Sequence, residues 1–292
     1  MFTGTYTAIV TPFKKGKVDE VALARLVKAQ IKGGVDGIVP VGTTGESPTV
    51  NMEEHVRVIE IAVQAAAGRV KVVAGSGANS TAEAIHLTQA AESAGADGSL
   101  QVCPYYNRPT QEGLFQHFST IARNTGLPLM LYSIPGRSVI SIEIPTVVKL
   151  ASKCSNIVSI KEAGGTPDRV SQLRQVLPRD FSIVSGDDPL TLPFMSVGAD
   201  GVVSVASNVA PKLVSRMVNA MAAGQLKKAL QLHDKLYPLF KVLFIETSPG
   251  PVKAALNLMG LCEEEYRLPL TKITRQNKDA VRKVLKELSL LK

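Results

Sequence analysis

Lys161 closes the stretch "IVSIK", in which four apolar or small residues end in an ammonium group. An unpaired charge at the end of a buried strand is costly, and a lysine so placed tends to give up its proton. The neutral amine is a nucleophile toward carbonyl compounds. The same residue can instead snorkel to water or pair with Glu162, and the stretch alone leaves both readings open. Tyr132 closes the preceding apolar run, "PLMLY", so a phenol and an amine end successive strands. An imine-forming lysine needs a relay that adds and removes protons and water. Tyr132, Thr43 and Thr44 of "GTTGES", and Tyr105 and Tyr106 of "CPYYNRP" offer the hydroxyls, although each tyrosine can equally pack over neighbouring apolar residues with its hydroxyl in water. "GTTGES" lacks the lysine of a nucleotide-binding loop, and its N–H groups and hydroxyls suit a carboxylate. Arg137 in "YSIPGRS" can clamp a second carboxylate. Together these residues suit a 2-oxo acid. Asp188, ahead of Pro189, reads as a helix cap. His55, His86, His117 and His233 form no metal-spaced cluster, so no metal is expected, nor any other cofactor.

Such side chains must be held by elements, and eight short apolar runs supply them: 7–11, 37–42, 70–75, 98–102, 128–132, 157–161, 181–186 and 201–205. Most gaps hold one amphipathic helical pattern, as in "DEVALARLVKAQIKGG". Strand-sized runs alternating with helices give a parallel sheet, and runs apolar at nearly every position suit strands covered on both faces. Eight units predict an α/β fold of the (β/α)8 TIM-barrel class rather than an open doubly wound sheet. The barrel core is expected over 1–210, with the last barrel helix and a C-terminal helical extension over 211–292. In such barrels chemistry sits at the C-terminal ends of the strands, where the residues above fall. Asn79-Ser80-Thr81 reads as the start of a helix rather than a glycosylation site.

Composition bounds the function. The apolar fraction of 45% and charged fraction of 20% are ordinary for a globular chain. Three scattered cysteines, Cys103, Cys154 and Cys262, suit a reducing compartment better than a disulfide framework. No secretory signal and no membrane-spanning run is visible, so a cytoplasmic enzyme without a membrane partner is expected. The net charge of +8 lies in the C-terminal part: residues 211–292 hold 15 basic and 7 acidic residues, whereas the preceding 210 balance. Its lysines alternate with Leu, Val and Ala at helical spacing, which describes a solvated face rather than a nucleic-acid site.

"GTTGES", "PYYNRP", the Tyr132–Arg137 segment, "IKEA" and "SGDD", in this order, resemble the dihydrodipicolinate synthase family of pyruvate-dependent lyases, over nearly the full chain. The resemblance implies that pyruvate forms a Schiff base on Lys161 and that its enamine condenses with L-aspartate 4-semialdehyde, in lysine and diaminopimelate biosynthesis. It implies a proton relay of Tyr132, Thr43 and Tyr106, the last reaching into a neighbouring subunit's site. It places Thr44, Gly186 and Val203 on bound substrate and Arg137 on the semialdehyde's carboxylate. It further implies a homotetramer built as a dimer of dimers, and an allosteric L-lysine site of Ser47, Pro48, Met52, His55, Asn79, Glu83 and Tyr105. From the residues alone, His55 on an amphipathic helix reads as a surface or interface residue. Met52 stands where some inhibited members carry histidine. In the strand-five loop Ser133, Ser138 and Val139 replace the family's Asn, Thr and Gly. Two other functions share some of these residues: a sister lyase acting on N-acetylneuraminate or a 2-keto-3-deoxy acid, and a non-catalytic binding barrel.

Overall fold

The computed structural model describes residues 2–291. Eight parallel strands, β1 (Gly4–Ala8), β2 (Gly37–Val39), β3 (Lys71–Gly75), β4 (Gly98–Val102), β5 (Leu129–Ser133), β6 (Ile157–Glu162), β7 (Ser182–Ser185) and β8 (Gly201–Ser204), close into a barrel in chain order. Closure is the pairing of β1 with β8, Tyr6 opposite Val203. Helices α1 (Glu20–Lys32), α2 (Met52–Ala66), α3 (Thr81–Ser93), α4 (Gln111–Arg123), α5 (Ile144–Lys153), α6 (Pro167–Val176), α7 (Thr191–Ser196) and α8 (Pro211–Ala222) follow the strands in turn. The TIM barrel expected from the spacing of apolar runs is the fold observed.

The first strand begins three residues before the predicted run 7–11. "GTYTA" reads as half polar, yet in the barrel its threonines point to the helix layer, where the Thr7 hydroxyl donates to Gln30 Oε1 at 2.8 Å. Its alternate residues, Tyr6 and Ala8, join Phe2, Val39, Leu100 and Met130 in filling the barrel interior. Gly37 permits this packing, since a Cβ there would fall 2.2 Å from the Tyr6 ring. At the start of α3 the Ser80 hydroxyl accepts the Glu83 N–H, as the sequence predicted.

Three further helices, α9 (Leu226–Val242), α10 (Gly250–Leu258) and α11 (Arg275–Glu287), lie against the barrel. Leu236, Leu239, Val252, Leu256, Val281 and Leu285 join the same buried cluster as the barrel's helix layer. On α9, Ala229, Leu232 and Leu236 are buried while Lys227, Lys228 and Lys235 are exposed, so its charge is a solvated face. No helix among the described residues is long and apolar enough to cross a membrane.

Candidate active site

Alternation along β6 decides the fate of Lys161. In register, Tyr132 of β5 lies beside Lys161 and Lys161 beside Val184 of β7, so these side chains share the interior face. Glu162 therefore points the other way, into the helix layer, where it is fully buried and takes Arg169 at 2.7 Å. Lys161 does not pair with Glu162 and is largely withdrawn from water: it is 5% exposed, and its Nζ sits 4.0 Å from the centroid of the Tyr132 ring. Burial pulls its pKa down to about 7, the Arg137 charge adding to the fall and the Asp188 carboxylate opposing it. An appreciable fraction of the amine is thus neutral near pH 7. Gly186 leaves room for this side chain, since a Cβ there would lie 3.0 Å from Lys161 Cε and 2.8 Å from Ala163 Cβ.

Over these residues opens a cavity of about 200 Å³ whose lining includes Thr43, Tyr132, Arg137, Tyr105, Ser47 and Ser138. Lys161 does not line it; the Tyr132 ring lies against both the cavity and the amine. Thr43 and Tyr132 both line this cavity, and burial pushes the Tyr132 phenol up to about 12 while Arg137 and Thr43 oppose the rise. Phenol, hydroxyl and amine are therefore brought into one group. Thr44 is buried beside Thr43, and Val203 packs with Tyr132 in the barrel interior; neither lines the cavity, nor does Gly186.

The loop Gly42–Glu46 makes a 3₁₀ turn over Thr43–Gly45 that ends on Glu46 in the left-handed region, φ 58°. Its Gly45 carbonyl accepts the Thr11 hydroxyl at 2.7 Å. Arg137 sits on the single helical turn Pro135–Ser138, with Nη2 3.4 Å from the Ser248 carbonyl oxygen. That turn ends on Val139 at φ 69°, a conformation natural to the glycine of the family pattern. Tyr106 is 91% exposed at φ 74° and takes no part in its own chain's cavity.

Of the residues predicted to hold lysine, three fall on this cavity. Ser47, Pro48 and Tyr105 line the cavity, and Asn79 Nδ2 donates to the Tyr105 carbonyl at 3.1 Å. Met52 and Glu83 are exposed in the first turns of α2 and α3. His55 corrects the reading made from the residues alone: it is not on the surface but 4% exposed, its Nε2–H donating to the Gly75 carbonyl at 3.0 Å. Burial lowers its pKa to about 4, so the ring is neutral.

Asp188 is a second correction. It does not cap α7, which starts after Leu190 without a side-chain cap. It turns instead to the end of β8, accepting the Val205 and Ala206 N–H groups, each at 2.9 Å, and the Ser204 hydroxyl. Sequence reasoning also missed Lys253. Its signal was present as one lysine inside the apolar run "PVKAAL", and it is fully buried on α10 against Glu46.

The model of the dihydrodipicolinate synthetase family matches residues 1–288. The chain belongs to that family. It is 50% identical over 290 residues to the 4-hydroxy-tetrahydrodipicolinate synthase of Aquifex aeolicus, covering 99% of both chains. Among solved structures, the 4-hydroxy-tetrahydrodipicolinate synthase of Methylacidiphilum fumariolicum SolV superposes with a TM-score of 0.98 at 55% identity, over 99% of this chain and 96% of that one. The dihydrodipicolinate synthase of Cyanidioschyzon merolae, solved with lysine bound, superposes with a TM-score of 0.97 at 42% identity over 99% of each chain. Family membership and the resemblance drawn from motifs agree over nearly the full chain.

Proposed function

We propose that this chain is a 4-hydroxy-tetrahydrodipicolinate synthase, acting in lysine and diaminopimelate biosynthesis. The neutral Lys161 amine adds to the C2 carbonyl of pyruvate, and loss of water gives an imine. Loss of a methyl proton gives the enamine, whose carbon attacks the aldehyde of L-aspartate 4-semialdehyde and forms the new carbon–carbon bond. The resulting alkoxide takes a proton, and the semialdehyde's amino group then displaces Lys161 from the imine carbon, closing the ring and freeing the amine. Tyr132 and Thr43, with Tyr106 from a second copy, carry the protons and the water. Thr44, Gly186 and Val203 seat the pyruvate moiety, and Arg137 receives the semialdehyde's carboxylate. The observation that carries this reading is a buried amine whose Nζ lies 4.0 Å from the ring of a phenol that lines one cavity with Thr43.

The same reading includes a homotetramer assembled as a dimer of dimers, a cytoplasmic location and feedback by L-lysine. Ser47, Pro48, Met52, Asn79, Glu83 and Tyr105 hold the inhibitor, with neutral His55 shaping the wall behind Gly75. A dihydrodipicolinate synthase of this fold with lysine bound supports that part. Borohydride reduction with pyruvate is expected to add one reduced pyruvate, mapped to the peptide carrying Lys161. Pyruvate plus aspartate semialdehyde is then expected to turn over far faster than N-acetylneuraminate or a 2-keto-3-deoxy acid. An unchanged mass supports the idle barrel instead, and faster cleavage of the sugar acids supports the sister lyase.

A further inference from the structure

Glu46 ends the loop that carries Thr43 and Thr44, and its side chain runs away from the cavity into the protein. There its Oε1 meets Lys253 Nζ at 2.6 Å, with both side chains 0% exposed. The two residues lie 207 apart in the chain. The ammonium also lies 4.3 Å from the Phe13 ring centroid and 5.1 Å from that of Tyr266. Tyr266 in turn donates its hydroxyl to the Gly250 carbonyl at 2.8 Å, closing the segment around α10.

This is a costly way to fix a loop. Two charges removed from water gain little net stability over apolar residues of the same volume. They do impose one geometry, because a buried carboxylate must meet its cation. Glu46 is held while its own backbone is left-handed, the conformation that turns the chain from the 3₁₀ turn over Thr43–Gly45 into the next one over Ser47–Thr49. A second tie runs in parallel: Arg267 grips Glu54 through two bonds of 2.6 Å and donates to the Thr49 carbonyl at 2.8 Å. The third is the Ser248 carbonyl, 3.4 Å from Arg137. Segment 248–267, outside the barrel, thus touches the loops on both sides of the cavity.

We infer that Lys253 is a positioning residue, which through Glu46 sets the place of the Thr43–Thr44 loop and thereby the affinity for the 2-oxo acid's carboxylate. This rests on the imine reading of Lys161, which trapping on the parent chain tests separately. Two variants are compared with the parent. Glu46→Asp keeps both charges but shortens the strut by one methylene. The double variant Glu46→Gln/Lys253→Met leaves no lone buried charge. The KM for pyruvate is expected to rise about tenfold in each, and kcat to fall as well, because Thr43 of the relay rides on the same loop. The pH at which trapping is half-maximal is expected to stay with the parent's, since Lys161 keeps its surroundings. Circular dichroism establishes which variants fold, and Glu46→Asp decides if the double variant does not. An unchanged pyruvate KM in a folded variant overturns the positioning while leaving the imine intact. Absence of a pyruvate adduct on the parent overturns the imine, and the inference with it.

Discussion

Among single residues, the direction in which one ammonium group points governs the chemistry of the site. A lysine at a strand end has two destinations, and the parity of its position chooses between them: Lys161 shares the interior face with Tyr132 and Val184, while Glu162 faces Arg169. The consequence is a pH dependence. Only the unprotonated amine attacks a carbonyl, so the initial rate of imine formation with pyruvate, measured by rapid mixing into borohydride, is expected to rise with pH and level off above about 7. An ordinary lysine, at pKa about 10.4, would keep gaining rate for roughly three more pH units, and that profile would contradict the desolvated site. His55 carries the same lesson in reverse. Its spacing on α2 does not distinguish a surface ring from a buried one, and the bond to Gly75 does.

At the scale of elements, each strand end is a bracket for one or two side chains, and the turn after it sets their aim. The β5 loop is the case where this chain departs from its family. Val139, a β-branched residue at φ 69°, closes the turn that presents Arg137. Such a conformation costs about 1–3 kcal/mol in a non-glycine residue. Val139→Gly relieves it and gives back a part through greater freedom of the unfolded chain. The expected outcome is a gain of about 1 kcal/mol in urea unfolding; a lower midpoint would mean that the valine makes contacts worth more than its strain. Asp188 shows why this level is hard to read from sequence. A carboxylate followed by proline matches a helix start, yet in the fold it takes the N–H groups of Val205 and Ala206 at the end of β8.

At the scale of the whole molecule, the cavity of one chain is not the whole of the proposed relay, because Tyr106 stands 91% exposed outside it. If Tyr106 serves a second copy's site, Tyr106→Phe is expected to lower kcat by about 100-fold. Mixing Tyr106→Phe chains with Lys161→Ala chains and allowing subunit exchange then restores about a quarter of the parent activity, since each mixed pair holds one intact site. No recovery on mixing would place the tyrosine's function within its own chain. The barrel and the ends of six of its eight strands were legible along the chain, because eight apolar runs separated by helical patterns leave a parallel sheet few ways to bury both faces; the runs 7–11 and 37–42 overshoot β1 and β2 by three residues each. The sequence also marked Lys161, Tyr132, Thr43 and Arg137, whose types are chemically unusual where they stand. Folding alone set the pairings between distant parts of the chain: Glu46 with Lys253, Asp188 with the end of β8, and His55 with Gly75. Periodicity tells which face a residue occupies, but a hydrogen bond or ion pair depends on what the closed barrel brings opposite it, and that is settled in space rather than along the chain.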